Sequence, residues 1–144
     1  LIFLKEYGLD KGDKMEFFFE EKSDYSTTFI RLALGIIMTL AGFGKVMKGN
    51  EGITSMATSM GFPVILMWAA ALIELIGGIL ILVGFYTRTS AFLIACVMLV
   101  ATIVVINGGA PFMGGSSFWA WPLVNFLMAV SLLFSGTKVI SVDK

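Results

Sequence analysis

The chain has 144 residues, of which 58% are hydrophobic and 14% are charged, and its mean hydropathy is +0.93. A soluble domain is usually about 25% charged, so this composition predicts a membrane protein. The formal net charge is zero, and a basic surface for nucleic acid is therefore not expected. With no histidine and a single cysteine, the chain cannot form a histidine-based metal or haem site, a Ser-His-Asp or Cys-His centre, or a CxxC thiol relay.

Residues 1–26 are predicted to form a cytoplasmic N-terminal tail. The apolar residues 1–4 are too short for a signal-peptide core, and no small-residue cleavage pattern follows them, so no targeting segment is predicted. Residues 16–21 combine acidic side chains with three phenylalanines. This segment has too little apolar surface to fold alone, and we expect it to contact a partner protein.

Four apolar stretches follow, and each is predicted to cross a bilayer as a helix. A hydrocarbon core of about 30 Å takes roughly 17 to 25 helical residues. The stretches are residues 27–47, 63–86, 89–106 and 118–134. Pro63 suits the first turn of a helix, where its missing N–H would be unpaired in any case.

Short connections join these stretches, at residues 48–62, 87–88 and 107–117. Irregular backbone exposed to lipid would leave polar groups unpaired, so helices with short connections are favoured. We therefore predict an all-α polytopic membrane protein, an up-down-up-down four-helix transmembrane bundle over residues 27–136. Residues 137–144 would form a C-terminal tail.

The lysines and arginines predict the orientation of this bundle. Four spans place both termini on one side, together with eight of the ten basic residues, and leave Lys45 and Lys48 on the other. Basic residues near span ends stay preferentially in the cytoplasm, so both termini are predicted to be cytoplasmic in the plasma or inner membrane. Trp68, Trp119 and Trp121 then lie toward the outer interface.

Glu74 at the centre of the second stretch is the most informative polar residue. An ionised side chain there costs about 2.5 to 3.5 kcal/mol, so Glu74 must be paired, protonated or facing water. Ala70, Glu74 and Gly78 recur at intervals of four, share one helix face and include small residues that allow a close helix contact. This face is predicted to point inward.

The first stretch offers a matching face. Its four members are Arg31, Gly35, Thr39 and Gly42. Lys45 lies about 40° from this face at about 100° per residue, and Arg31 lies roughly 9 Å from the helix centre. We expect Arg31 to contact Glu74 directly or through water. Such a pair is either an interhelical staple that fixes register or part of a cavity that binds a quinone-like or other polar head group, and both interpretations stay open.

The connection at residues 107–117 is rich in glycine and is followed by an aromatic cluster. Phe112, Trp119 and Trp121 either cap a site for a flat ring or form an ordinary aromatic belt at the interface. The glycine pattern lacks the lysine of a phosphate-binding loop. Cys96 is predicted to be a small packing residue, and the nine methionines are too scattered to indicate a copper site.

Several spaced blocks resemble the DoxX family of small four-helix membrane proteins. They are RLALG at 31–35, AGFGK at 41–45, GFP at 61–63 and AAALIELIGGILILVGFYTR at 69–88. The resemblance extends over about residues 27–135. It implies that Arg31, Lys45 and Glu74 are the recurring polar positions of the family.

The resemblance also implies a redox-associated function. Family members are associated with quinone-linked sulfur oxidation and with membrane oxidoreductase assemblies. Two features depart from the family pattern: Asn107 stands near where many relatives have a histidine, and the N-terminal tail is additional.

Three functions remain open from the sequence. The first is an accessory subunit of a membrane-bound, quinone-linked oxidoreductase complex whose other membrane subunits carry the metals and flavins, with a quinone or lipid as the bound small molecule. The second is a small transporter or channel that uses Glu74 as its proton or substrate site, although no inverted repeat or broken helix supports it. The third is a membrane assembly factor.

Overall fold

The structure is a computed structural model that describes residues 11–114 and 118–135, with side chains from residue 26 onward. The described residues form five α-helices and no strand. The helices are α1 (Lys11–Met47), α2 (Gly49–Ser59), α3 (Val64–Val83), α4 (Thr87–Asn107) and α5 (Ala120–Ser135). The all-α prediction is confirmed for this part of the chain.

Three of the described helical segments are long and apolar enough to cross a membrane. They are Ser26–Met47 within α1, and the whole of α3 and α4. Helix α5 is apolar but has 16 residues, which at 1.5 Å per residue makes it about 24 Å long, shorter than a hydrocarbon core of about 30 Å. The fourth predicted stretch is therefore helical, and its described part alone is shorter than a hydrocarbon core.

Helix α1 is longer than the predicted first span. Its backbone is helical from Lys11, so it passes through the expected boundary between tail and span at residue 26 without a break. The expected partner contacts of the side chains at 16–21 lie outside the described residues. The C-terminal tail at 137–144 also lies outside them.

The predicted connection at residues 48–62 contains a helix that was not predicted from the sequence. Helix α2 is bracketed by Gly49 and Gly61, which have φ values of +66° and +63° and so adopt a left-handed conformation that glycine tolerates. Ile53 and Ala57 bury one face of α2 against α3, where they contact a cluster that includes Met67. The chain therefore folds back onto α3 instead of crossing directly into it.

The turn between α3 and α4 comprises residues 84–86, not the predicted residues 87–88. Gly84 has a φ of 76° at the end of α3, and the N–H groups of Gly84 and Phe85 both donate to the Leu80 carbonyl. This pattern ends a helix because a left-handed residue redirects the chain. Tyr86 also has a positive φ, 48°, and Thr87 begins α4.

The four longer helices pack around one apolar core. Helix α1 packs most extensively on α3, α4 packs on α5, and the contacts of α3 with α4 and of α5 with α1 complete the arrangement. The fully buried members of the core are Leu34, Met38, Ile81, Ala91, Ile94, Ala129 and Leu132. This packing holds the middle of α3 next to the C-terminal half of α1.

Candidate functional site

Glycine residues bring α1 and α3 into close contact. A Cβ on Gly42 would lie 2.3 Å from the backbone nitrogen of Leu75, and a Cβ on Gly78 would lie 2.5 Å from the backbone nitrogen of Thr39. Any larger residue would overlap the neighbouring backbone, and small residues of this kind allow helices to pack closely in lipid. The predicted inward faces of the first two stretches are confirmed.

An ion pair lies beside this contact. Glu74 is 1% exposed in the middle of α3. Lys45, near the C-terminal end of α1, donates to both carboxylate oxygens, with Nζ to Oε1 and Nζ to Oε2 distances of 2.5 and 2.6 Å. The Lys45 side chain retains 24% of its exposure. The buried carboxylate is therefore neutralised by a cation that reaches it from a more exposed position.

The expected contact between Arg31 and Glu74 is wrong, because the structure pairs Glu74 with Lys45. Gly42 packs against Leu75, next to Glu74. Counted along α1 from Gly42, Lys45 is about 4.5 Å away and Arg31 about 16 Å away in the opposite direction, at 1.5 Å per residue. The first distance is within reach of a lysine side chain, and the second exceeds the reach of an arginine. The prediction assumed that the centres of the two helices lie side by side. They do not, because Gly42, near the C-terminal end of α1, lies beside the middle of α3.

Arg31 is buried away from this ion pair. It is 3% exposed, and its Nε has no hydrogen-bond partner among the described residues. Gly35, one turn further along α1, packs against Gly78 and Leu82, so Arg31 lies at the level of the turn between α3 and α4. Arg31 therefore belongs to the other end of the helix pair.

Two cavities meet at the ion pair. The first, which we call the inner cavity, has a volume of about 460 Å³ and lies between α1, α3, α4 and the start of α5. Its lining combines the two charged groups with apolar and aromatic side chains: Met38, Lys45, Glu74, Met98, Phe118, Trp121 and Pro122. A volume of this size is within the range of about 300 to 1,000 Å³ that is usual for small-molecule sites.

Only one of the three residues of the predicted aromatic cap lines this site. Trp121 lines the inner cavity. Phe112 and Trp119 instead contact each other edge to face, with ring centroids 4.7 Å apart, and the Trp119 and Ala120 N–H groups donate to the Pro111 and Phe112 carbonyls. The ring contact and these two backbone hydrogen bonds stabilise the connection before α5, and neither Phe112 nor Trp119 lines the cavity.

The second cavity, which we call the lateral cavity, has a volume of about 330 Å³ and lies between α2, α3 and α4. Apart from Lys45 and Glu74 at one end, its lining is apolar and includes Met56, Met60, Phe62, Leu66, Met67, Cys96, Val97, Val100 and Val104. Cys96 is exposed there and not packed inside as expected. This cavity was not predicted because α2 was not predicted, although the apolar spacing of Ile53, Met56 and Ala57 between two glycines is a detectable signal.

This arrangement can bind a small polar group in an apolar setting. The Lys45 ammonium can donate and the Glu74 carboxylate can accept hydrogen bonds, and hydrogen bonds to charged groups are stronger than those between neutral groups. Trp121 and Phe118 offer ring surfaces within the same cavity. The geometry therefore suits an uncharged molecule with a polar head and a flat apolar ring.

Sequence comparison identifies the family of this helical protein. The DoxX family model matches residues 26–107, a segment that contains α2, α3, α4 and both members of the ion pair. The chain therefore belongs to the DoxX family of membrane proteins. The resemblance seen in the sequence blocks is confirmed.

Curated relatives support this assignment. The chain is 32% identical to "Putative oxidoreductase CatD" of Bacillus subtilis over 83% of this chain and 86% of the relative. It is 26% identical to an uncharacterized protein of Haemophilus influenzae over 86% of this chain and 92% of the relative. It is 35% identical to the inner membrane protein YqjF of Escherichia coli over 50% of this chain and 55% of the relative. No solved structure matches the chain.

Proposed function

We propose that the chain is an integral membrane subunit of a larger, quinone-linked oxidoreductase complex, and that the Lys45 and Glu74 pair binds the polar head of a quinone. The observation that carries the proposal is a buried ion pair that opens onto a cavity instead of being packed on all sides. A pair that only fixed helix register would need no adjoining space. The name of the Bacillus subtilis relative describes an oxidoreductase, which agrees with a redox setting.

The residues at the inner cavity fit a quinone. A quinone has two carbonyl oxygens that accept hydrogen bonds and a flat apolar ring, and when bound it would supply two-electron redox chemistry. The Lys45 ammonium would donate to one carbonyl oxygen, and Trp121 would contact the ring. Glu74 holds Lys45 in place through both carboxylate oxygens.

The electron carriers would belong to other subunits. The chain has no histidine and one cysteine, so it offers none of the usual ligand sets for haem or iron–sulfur clusters. A partner that carries the metals and flavins is therefore part of the proposal. In such a complex this chain would hold the quinone within reach of its partner.

We also propose that α1, α3, α4 and α5 cross the plasma or inner membrane as an up-down-up-down bundle with both termini in the cytoplasm. Three of these helices have the required length and apolar composition, and the packing of all four in a closed order supports the arrangement. The uneven distribution of basic residues supports the orientation. The relative from Escherichia coli is named as an inner membrane protein.

Cysteine labelling tests this orientation. In a Cys96→Ala background, Asn107→Cys at the end of α4 and Thr89→Cys at its start occupy opposite ends of one helix, and both positions are exposed. A membrane-impermeant maleimide added to intact cells should label Asn107→Cys and leave Thr89→Cys unlabelled until the cells are opened. The reverse pattern would contradict the proposed orientation.

Purification in mild detergent tests the function. Stoichiometric redox subunits should co-purify with the wild-type chain, and the complex should reduce added quinone. Glu74→Gln should retain these subunits but lower the quinone reductase activity at least tenfold. Glu51→Gln, which changes an exposed glutamate on α2, is the matched control and should leave the activity unchanged.

Two results would contradict this function. A protein that purifies only as a homo-oligomer would favour the transporter hypothesis instead. Full quinone reductase activity in an assembled Glu74→Gln complex would remove Glu74 from the site.

A further inference from the structure

The two helices that border the lateral cavity are close at one end and apart at the other. A Cβ on Gly77 would lie 3.1 Å from Cδ1 of Ile94, so α3 and α4 are in contact near their connecting turn. Toward the opposite end the lateral cavity lies between them, bordered by Leu66 on α3 and Val100 on α4. Both of these side chains are about half exposed, at 50% and 44%. The lateral cavity therefore opens outward between the two helices, toward the hydrocarbon of a bilayer.

The lateral and inner cavities are continuous in their lining. Lys45, Glu74, Ala101 and Val105 border both. The ion pair thus lies where an apolar groove that faces the hydrocarbon meets a second cavity that has aromatic side chains in its lining. An occupant that reaches the ion pair from the groove must be apolar along its length and polar at its inner end.

Helix α2 closes one end of the groove. Met56 of α2 and the following Met60 and Phe62 contribute apolar side chains to the lining, and Trp68 of α3 donates from Nε1 to the Asn50 Oδ1 of α2 at 3.3 Å. Methionine side chains are flexible and polarizable, and they adapt to irregular apolar partners. A flexible hydrocarbon chain is such a partner.

We propose that the lateral cavity is a binding site for the hydrocarbon tail of a membrane-dissolved amphiphile, and that the tail occupies this groove while the head lies at Lys45 and Glu74. The inference rests on the proposed function for the position of the head. It adds that the ligand reaches the site sideways from the bilayer and that part of its affinity comes from the tail. Because a tail dissolved in the bilayer is already out of water, this contribution comes from close packing against the groove and not from hydrophobic burial.

Two quinones that differ in their tails test this site. Decylubiquinone carries a ten-carbon tail, and duroquinone is a fully substituted ring without one. Both quench tryptophan fluorescence. In a full-length Trp68→Phe, Trp119→Phe background in lipid vesicles, Trp121 in the inner cavity is the only tryptophan and reports binding of the ring. This background serves as the wild type for the groove variants. Each variant is compared with the wild type for the same quinone, which cancels the different partition of the two molecules into lipid.

Filling the groove from either wall should act on the tail alone. Val100→Phe and Leu66→Phe should each raise the Kd for decylubiquinone at least tenfold and change the Kd for duroquinone less than twofold. Leu99→Phe and Ile76→Phe, at exposed positions of the same two helices outside both cavities, should leave both constants unchanged.

Other results separate this inference from the proposed function. Unchanged decylubiquinone binding in both groove variants, or an equal loss for both quinones, would overturn the tail site and leave the head site standing. A wild-type protein that binds neither quinone would overturn the proposed function as well.

Discussion

The two sides of α3 differ in how they meet their neighbours. Toward α1, Gly42 and Gly78 allow backbone to approach backbone, and Gly42 packs directly against the backbone of Leu75. Toward α4, the contact near Gly77 gives way to a cavity of about 330 Å³. One helix therefore has a closely packed side and an open side, and Glu74 lies between them.

This difference assigns separate roles to the two sides. Association in lipid depends on close packing and not on a hydrophobic drive, so the glycine contact with α1 supplies stability and fixes the register that brings Lys45 to Glu74. The open side contributes less packing but leaves room for a ligand. Changes on the α1 side should therefore affect folding, and changes on the α4 side should affect binding.

The largest loss of stability is expected for Gly42→Ala. The new Cβ would overlap the backbone of Leu75, and because backbone cannot rotate away, the two helices must separate. Overpacking of this kind costs typically 1 to 3 kcal/mol, and we expect about 3 kcal/mol here. The free energy of unfolding, measured by denaturant titration in mixed micelles, checks this value.

Gly44→Ala is the matched control for this change. Gly44 lies two residues further along α1, and a Cβ there would have no atom within 4 Å. Alanine favours a helix over glycine by up to about 1 kcal/mol, so this variant should be as stable as the wild type or more stable. Equal losses for both variants would show that the glycines matter for α1 alone and not for its contact with α3.

A smaller loss is expected when the ion pair is broken, and it should depend on which partner is removed. Lys45→Met leaves the Glu74 carboxylate, 1% exposed, without its partner, and we expect a loss of about 2 kcal/mol, below the 3 to 5 kcal/mol of a fully buried pair because Lys45 is partly exposed. Glu74→Gln should cost less, since Lys45 can turn outward. Unfolding titrations of the two variants should show this order.

The double variant sharpens this expectation. Lys45→Met with Glu74→Gln removes both charges, so it should be more stable than Lys45→Met alone. A double variant whose loss equals the sum of the two single losses would mean that the two side chains do not stabilise each other.

The sequence predicted the glycine side of α3 well and the open side poorly. Small residues at intervals of three or four on two apolar stretches favour a close helix contact, and Gly42 and Gly78 lie where that pattern predicts. The lateral cavity depends instead on the divergence of α3 from α4 and on the fold of α2, and helix spacing alone specifies neither. Periodicity places residues on a face, but it does not give the distance between two helices.

The partner of Glu74 was mispredicted for a related reason. Arg31 and Lys45 are both cations near one face of α1, and the choice between them depends on the sliding register of α1 against α3. That register is fixed by the contact of Gly42 with Leu75. A shift of about four residues along one helix, about 6 Å, decides which cations a central carboxylate can reach.

The smallest expected effect concerns Arg31. Its position about 16 Å from the level of Glu74, at 1.5 Å per residue, predicts that the two residues act independently, because side chains more than about 7 to 10 Å apart usually contribute additively. In a double-mutant cycle, Arg31→Gln with Glu74→Gln should show a coupling energy below about 0.5 kcal/mol. The coupling energy from the cycle of Lys45→Met with Glu74→Gln should be larger, about 1.5 kcal/mol or more. If Arg31→Gln instead restored stability to Glu74→Gln, the two residues would have to interact through a shared water or a different helix register. That result would contradict the placement of Arg31 about 16 Å from the level of Glu74.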